Sequence, residues 1–95
     1  MNNKINLEKC DNFELTEIAN STLAEASGYF FHMYMEEFKK AEPDKGILNK
    51  HKMDFFRVGS LQQDGIGNLD RDTLIKRINE YSEYGIKFKK LSHGK

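Results

Sequence analysis

Apolar and small residues return along this chain in three different rhythms. Over the first, Leu15, Ile18, Ala19, Thr22, Ala26, Tyr29, Phe30 and Met33 fall on one broad face at about 100° per residue. Asp11 or Asn12 offers a side-chain oxygen to the free amides of a first turn. Glu14 and Glu17 follow near the positive end of the helix dipole, and Lys39 and Lys40 lie near the negative end. Pro43 forces the preceding residue out of helical geometry. These signals predict a helix over 12–41, roughly 45 Å long, with Gly28 marking a close crossing or a bend.

The second rhythm is ambiguous. Ile47, His51, Phe55 and Val58 fit a helical face, but Met53–Val58 also alternates as a strand does. We read a short helix over 45–52 and a strand over 53–58. Gly59–Leu69 carries three glycines and the turn pair Asp64-Gly65, and reads as a loop. In the third stretch, Asp70 or Asp72 caps a helix whose apolar stripe is Leu74, Ile75, Ile78 and Tyr81. Gly85 suits the left-handed position just past its end, with Ile86 folding back on Tyr81. Ile86–Lys89 then alternates apolar and basic, as a strand with one wet face. Lys4–Leu7 reads as a short edge strand, and residues 1–3 and 92–95 as frayed ends. The assembled expectation is one α+β domain over 1–95. One long and one or two shorter helices pack on a small two- or three-stranded antiparallel sheet. The alternative, if 45–58 is helical throughout, is an all-α bundle of three helices.

One set of positions does not fit the core face of the long helix. Phe31, Met35 and Phe38 fall on its other side at i, i+4 and i+7, with Ala24 two turns before Phe31 and Tyr34 between the faces. A helix apolar on two faces is buried on both or offers one to a partner. Burial requires segments 45–58 and 86–91 to wrap around the second half of the helix.

Composition narrows the function classes. Hydrophobic residues are 38% and charged residues 32% of the 95, a folded rather than disordered balance. Seven Phe and four Tyr can build a core without disulfides, and Cys10 has no second cysteine to pair with. With no secretory apolar segment at the start, the expected compartment is the cytoplasm. The apolar run Tyr29–Met35 is far too short to span a bilayer, so no membrane partner is expected. Net charge is zero but blocked: residues 11–38 carry −6 with no Lys or Arg, 39–57 carry +3 and 85–95 carry +4. A balanced total argues against a general nucleic-acid binder.

Candidate chemistry is sparse. No CxxC, HxxxH or HExxH spacing occurs, so no metal or cofactor is expected. His32 and Glu36 read as a surface pair, and Cys10 as a small half-buried residue. Asp64–Asp70 gathers oxygen side chains, but the twelfth position of a calcium loop falls on Ile75. Gly65-Ile66-Gly67 lacks the third glycine of a dinucleotide fingerprint. An enzyme reading requires His51, Asp54, Asp70 or Asp72 to converge on a pocket, and no catalytic residue is assigned.

The expected function is therefore that of a small non-enzymatic binding protein. It would act as an inhibitor, adaptor or regulator of a larger protein, with Phe31, Tyr34, Met35 and Phe38 as the docking residues. Size and composition are those of many small proteins of phages and mobile elements, including inhibitors of host defence enzymes. Homodimerisation through the same stripe is a variant. The alternative is a nucleic-acid-binding regulator that stacks Phe88 on a base among Lys87, Lys89 and Lys90.

Overall fold

The computed structural model describes residues 6–63 and 69–93. Three helices follow a 3₁₀ turn at Leu7–Lys9: α1 (Asn12–Phe38), α2 (Lys45–Gln63) and α3 (Arg71–His93). No strand occurs among the described residues. The α+β expectation is overturned, and the architecture is all-α, the alternative weighed from the sequence.

Each lost strand has a physical reason. Met53–Val58 alternates, but the same residues suit a helix, with Val58 fully buried, Phe55 half-buried and Met53 and Phe56 exposed. A six-residue apolar run cannot separate the two periods. Ile86–Lys89 continues α3, because Gly85 is not its end. Gly85 is a buried helical residue, and a Cβ there would collide with the Glu25 carboxylate of α1. The missing side chain admits a neighbour rather than a left-handed turn. Ser92 and His93 extend α3 instead of forming a tail. Of the strand expected at Lys4–Leu7, Lys4 and Ile5 lie outside the described residues. Asn6 is extended and accepts the Glu8 amide at 3.1 Å, opening the 3₁₀ turn that includes Leu7. Of the expected loop, Gly59–Gln63 is the last part of α2, and residues 64–68 lie outside the described residues.

The helix starts follow local chemistry closely. Asp11 caps α1 with a reciprocal box: it accepts from the Glu14 amide at 2.8 Å, and Glu14 accepts from the Asp11 amide at 2.9 Å. Asp44 accepts from the amides of Gly46 and Ile47 and so caps α2. Asp70 accepts from the Thr73 amide at 2.8 Å and caps α3, and the Thr73 side chain, then this amide, hold its carboxyl below the usual range. Substituting such a cap by Ala typically costs about 1 kcal/mol.

The helices form a layer rather than a closed bundle. Both α2 and α3 pack along α1 and hardly touch each other. The Cα positions extend over 48 × 33 × 14 Å. α2 runs antiparallel to α1, since Phe31 meets Phe55 while the helices join beyond Phe38. α3 runs parallel to α1: Arg71 lies beside Asn12, and Phe88 beside Gly28. Arg71 also donates to the carbonyls of Leu7 and Glu8, tying the 3₁₀ turn to the start of α3.

The buried set is Leu15, Ala19, Leu23, Ala26 and Phe30 of α1, Val58 of α2, and Leu74 and Ile78 of α3. Leu7, Cys10, Ile18, Leu61, Leu69 and Tyr81 pack around it. Small residues at 19, 22 and 26 allow close approach at the centre of the layer. Tyr29, Phe30 and Tyr84 continue the packing, with ring centroids 4.7–5.7 Å apart. Full burial of a Leu or Val side chain contributes about 1.5–3 kcal/mol.

At the α1–α3 seam two glycines and two large side chains interlock. A Cβ on Gly28 would lie 2.9 Å from the tip of the Phe88 ring, as one on Gly85 would meet Glu25. Lys89 of α3 adds an ion pair to Glu25 at 3.4 Å. Alanine favours helix over glycine by about 1 kcal/mol, so Gly28→Ala would stabilise an isolated α1. Here the ring must move, and overpacking of this kind costs about 1–3 kcal/mol. The expected outcome is a lower urea midpoint for Gly28→Ala. In a Phe88→Ala background the same change should raise the midpoint. A stabilising effect in both backgrounds would show that the seam is not closed against Gly28.

Candidate functional site

The hairpin of α1 and α2 is set by one buried acid. Glu37 is 6% exposed, although it neighbours the exposed Phe38. Its Oε2 accepts the Asp44 amide at 2.8 Å, and its Oε1 takes the Lys40 ammonium at 2.8 Å. One side chain thus joins the last turn of α1 to the cap of α2. The hydrogen bond from Lys40, then that from the Asp44 amide, hold the Glu37 carboxyl below its ordinary range, and the charge of nearby His51 acts in the same direction. The hairpin brings Phe55 and Phe56 of α2 against Phe31 and Tyr34 of α1.

The result is a continuous aromatic surface. Phe31 and Phe55 have ring centroids 5.9 Å apart, Phe55 and Phe56 are at 6.0 Å, and Tyr34 stacks on Phe38 at 6.2 Å. Phe31, Tyr34, Phe55 and Phe56 line a groove of about 270 Å³ with Lys52 at its wall. A second hollow of about 180 Å³ shares Tyr34 and Lys52 and is completed by Lys45, Leu48 and Asn49. Phe31 is 53% exposed, and Phe38 and Phe56 are each 57% exposed. Met35 is half-buried. The described residues therefore cover only part of the second apolar face of α1. Neither α2 nor the end of α3 wraps around it.

The four residues singled out from the sequence, Phe31, Tyr34, Met35 and Phe38, are all on α1, and Tyr34 and Phe31 share one groove. Phe55, Phe56 and Lys52 were missed as partners of this face. Their i, i+3, i+4 spacing carries the signal, but it becomes visible only when 45–63 is taken as one helix.

The basic C-terminal segment is different from its expectation. Lys87, Phe88, Lys89 and Lys90 lie on a helix, not on a strand with one basic face. Lys87 pairs with Glu83 at 3.3 Å and sits 5.5 Å from the Tyr84 ring and 5.9 Å from the Tyr29 ring. Lys89 faces Glu25, and Phe88 is half-buried over Gly28. Lys90 remains exposed. The stacking ring of the nucleic-acid alternative is thus engaged within the chain.

The other candidates are separate. Asp54 of α2 holds Lys50 at 3.0 Å and Arg57 at 3.2 Å, while Asp70 and Asp72 open α3 across the layer. His51 is near enough to Glu37 for its charge to act there. His32 and Glu36 stand 3.9 Å apart on the surface, and the Cys10 thiol points to the Asn6 carbonyl. Among the described residues no group of three or more His, Cys, Asp or Glu is placed to hold a metal ion. The glycine and carboxylate run at 64–68 lies outside them. No helix among the described residues is long and apolar enough to cross a membrane.

Because the Glu37 carboxyl is depressed in the fold, its contribution is complete above the ordinary carboxylate range. It is lost as the pH falls through the lower folded value. Glu37→Gln should therefore lower the urea midpoint at about pH 7, and lower it less at about pH 3. An equal loss at both values would place the effect in shape rather than in charge. The chain stands apart in comparison with known proteins: no family model, no curated protein and no solved structure matches it.

Proposed function

We propose that this chain is a small non-enzymatic binding protein that works by docking a protein partner on the aromatic face of α1 and α2. The observation that carries the reading is one joined aromatic set: Phe31, Tyr34, Phe55 and Phe56 line a groove, Phe38 stacks on Tyr34, and Phe31, Phe38 and Phe56 are more than half exposed. Isolated exposed apolar residues are ordinary on monomers, but a joined aromatic surface is not. Interface cores are enriched in Phe, Tyr and Met, and the half-buried Met35 adds an adaptable side chain beside the rings. The groove is shallow and mostly apolar, with Lys52 at its wall. That arrangement suits the side chains of another protein better than the convergent polar groups of a catalytic pocket.

In this reading the protein acts by occupying a surface, as an inhibitor, adaptor or regulator does. Its first two helices present the face, and its caps and Glu37 hold the hairpin that forms it. A photo-reactive residue at position 31 should give a discrete cross-linked species in the native cell. The same probe at the exposed Lys76 of α3 should give none. Phe31→Asp with Phe38→Asp should change helical content little and shift stability by under about 1 kcal/mol, because both rings are more than half exposed. Equal cross-linking from both positions would remove the reading.

A further inference from the structure

We infer that the partner seated on this face is a second copy of the chain, arranged antiparallel about a two-fold axis near the middle of α1. The inference rests on the docking reading above and names its occupant.

The first argument is geometric. α1 lies against two helices that hardly meet, and Phe31 and Phe38 on its remaining face stay more than half exposed. A joined aromatic surface of this kind marks an interaction site.

The second argument is self-complementarity, which a two-fold contact demands because each residue must meet the counterpart of its own partner. Glu17, Ala24, Phe31 and Phe38 recur every seven residues along α1, and all four are exposed. Phe13, 69% exposed, stands near the other end of the helix. The face is therefore aromatic at both ends and small at Ala24 in the middle. Laid antiparallel, Phe13 of each copy reaches the Phe38 end of the other, and the backbones approach at Ala24. Charge agrees with this direction. The first half of α1 has acidic and no basic side chains, with Glu17 on the face itself. The Phe38 end is bordered by Lys45 and Lys52, exposed lysines that have no carboxylate partner among the described residues. The antiparallel contact sets Glu17 of each copy toward Lys45 and Lys52 of the other. A parallel contact sets like beside like.

The test is the mass in solution of the full chain, by sedimentation equilibrium from micromolar to near-millimolar concentration. The expected result is a doubling of 11.1 kDa that Phe31→Asp abolishes. Lys45→Glu with Lys52→Glu should weaken the dimer by about tenfold in Kd, and Glu17→Lys should do the same. Combining the three substitutions in one chain should restore it, since the swapped charges again meet opposite signs. These exposed residues keep the test open even if the Phe31 variant fails to fold. Monomeric mass throughout the range overturns the inference. If the position-31 probe then still joins a different protein, the docking reading survives without the second copy, and if it joins nothing, both fall. Dimers that are insensitive to all three charge changes overturn the antiparallel arrangement.

Discussion

A helix has one circumference, and α1 shares its own between two neighbours that hardly meet each other. Most of this molecule follows from that division. The flank toward α3 is narrow and steric: Gly28 and Gly85 give up side chains so that Phe88 and Glu25 can occupy the space. The flank toward α2 is broad and aromatic. Between them, on one side of the layer, lies the buried stripe from Leu15 to Phe30. On the other side the described residues leave Phe31 and Phe38 more than half exposed. Their exposure is the geometric remainder of placing two helices on opposite flanks of a third.

Polar chemistry holds this arrangement at its ends. Asp11, Asp44 and Asp70 start the three helices with the same device, a short carboxylate on free amides. Arg71 secures the 3₁₀ turn beside the start of α3. Glu37 does the equivalent work at the opposite end, from a position that is buried although its neighbours are wet. The hairpin it closes is also the edge of the aromatic groove, so the stability of the turn and the shape of the face depend on the same carboxylate. The exposed pairs along α2 and α3, such as Lys50–Asp54 and Lys87–Glu83, are of the kind that contributes little individually.

Helix starts and the long amphipathic stretch were legible in the residues, because capping and 3.6-residue periodicity are local. Asp11, Asp70, the stripe at Leu74 and Ile78, and the core face at Leu15, Ala19 and Ala26 all came from spacing alone. Two of the three expected strands, Met53–Val58 and Ile86–Lys89, are helical instead, for two separate reasons. Met53–Val58 is too short for its period to be decided locally. Gly85 carries a turn signal in sequence and a packing role in space, and only the presence of Glu25 opposite it distinguishes the two. Leu23 was missed from the core because burial there depends on which helix lies alongside. Phe55 and Phe56 were missed from the face for the same reason as the strand was drawn.

The sequence by itself determined that α1 is apolar on two sides, since a wheel needs only the order of residues. It could not say which side would be covered, because cover is supplied by elements far away in the chain. Tertiary structure decided that α2 and α3 take the flanks, leaving Phe31 and Phe38 more than half exposed and joined to Phe55 and Phe56. The physical reason is that contacts between distant parts of the chain, such as Phe88 seated over Gly28, fix which flank of α1 each helix takes.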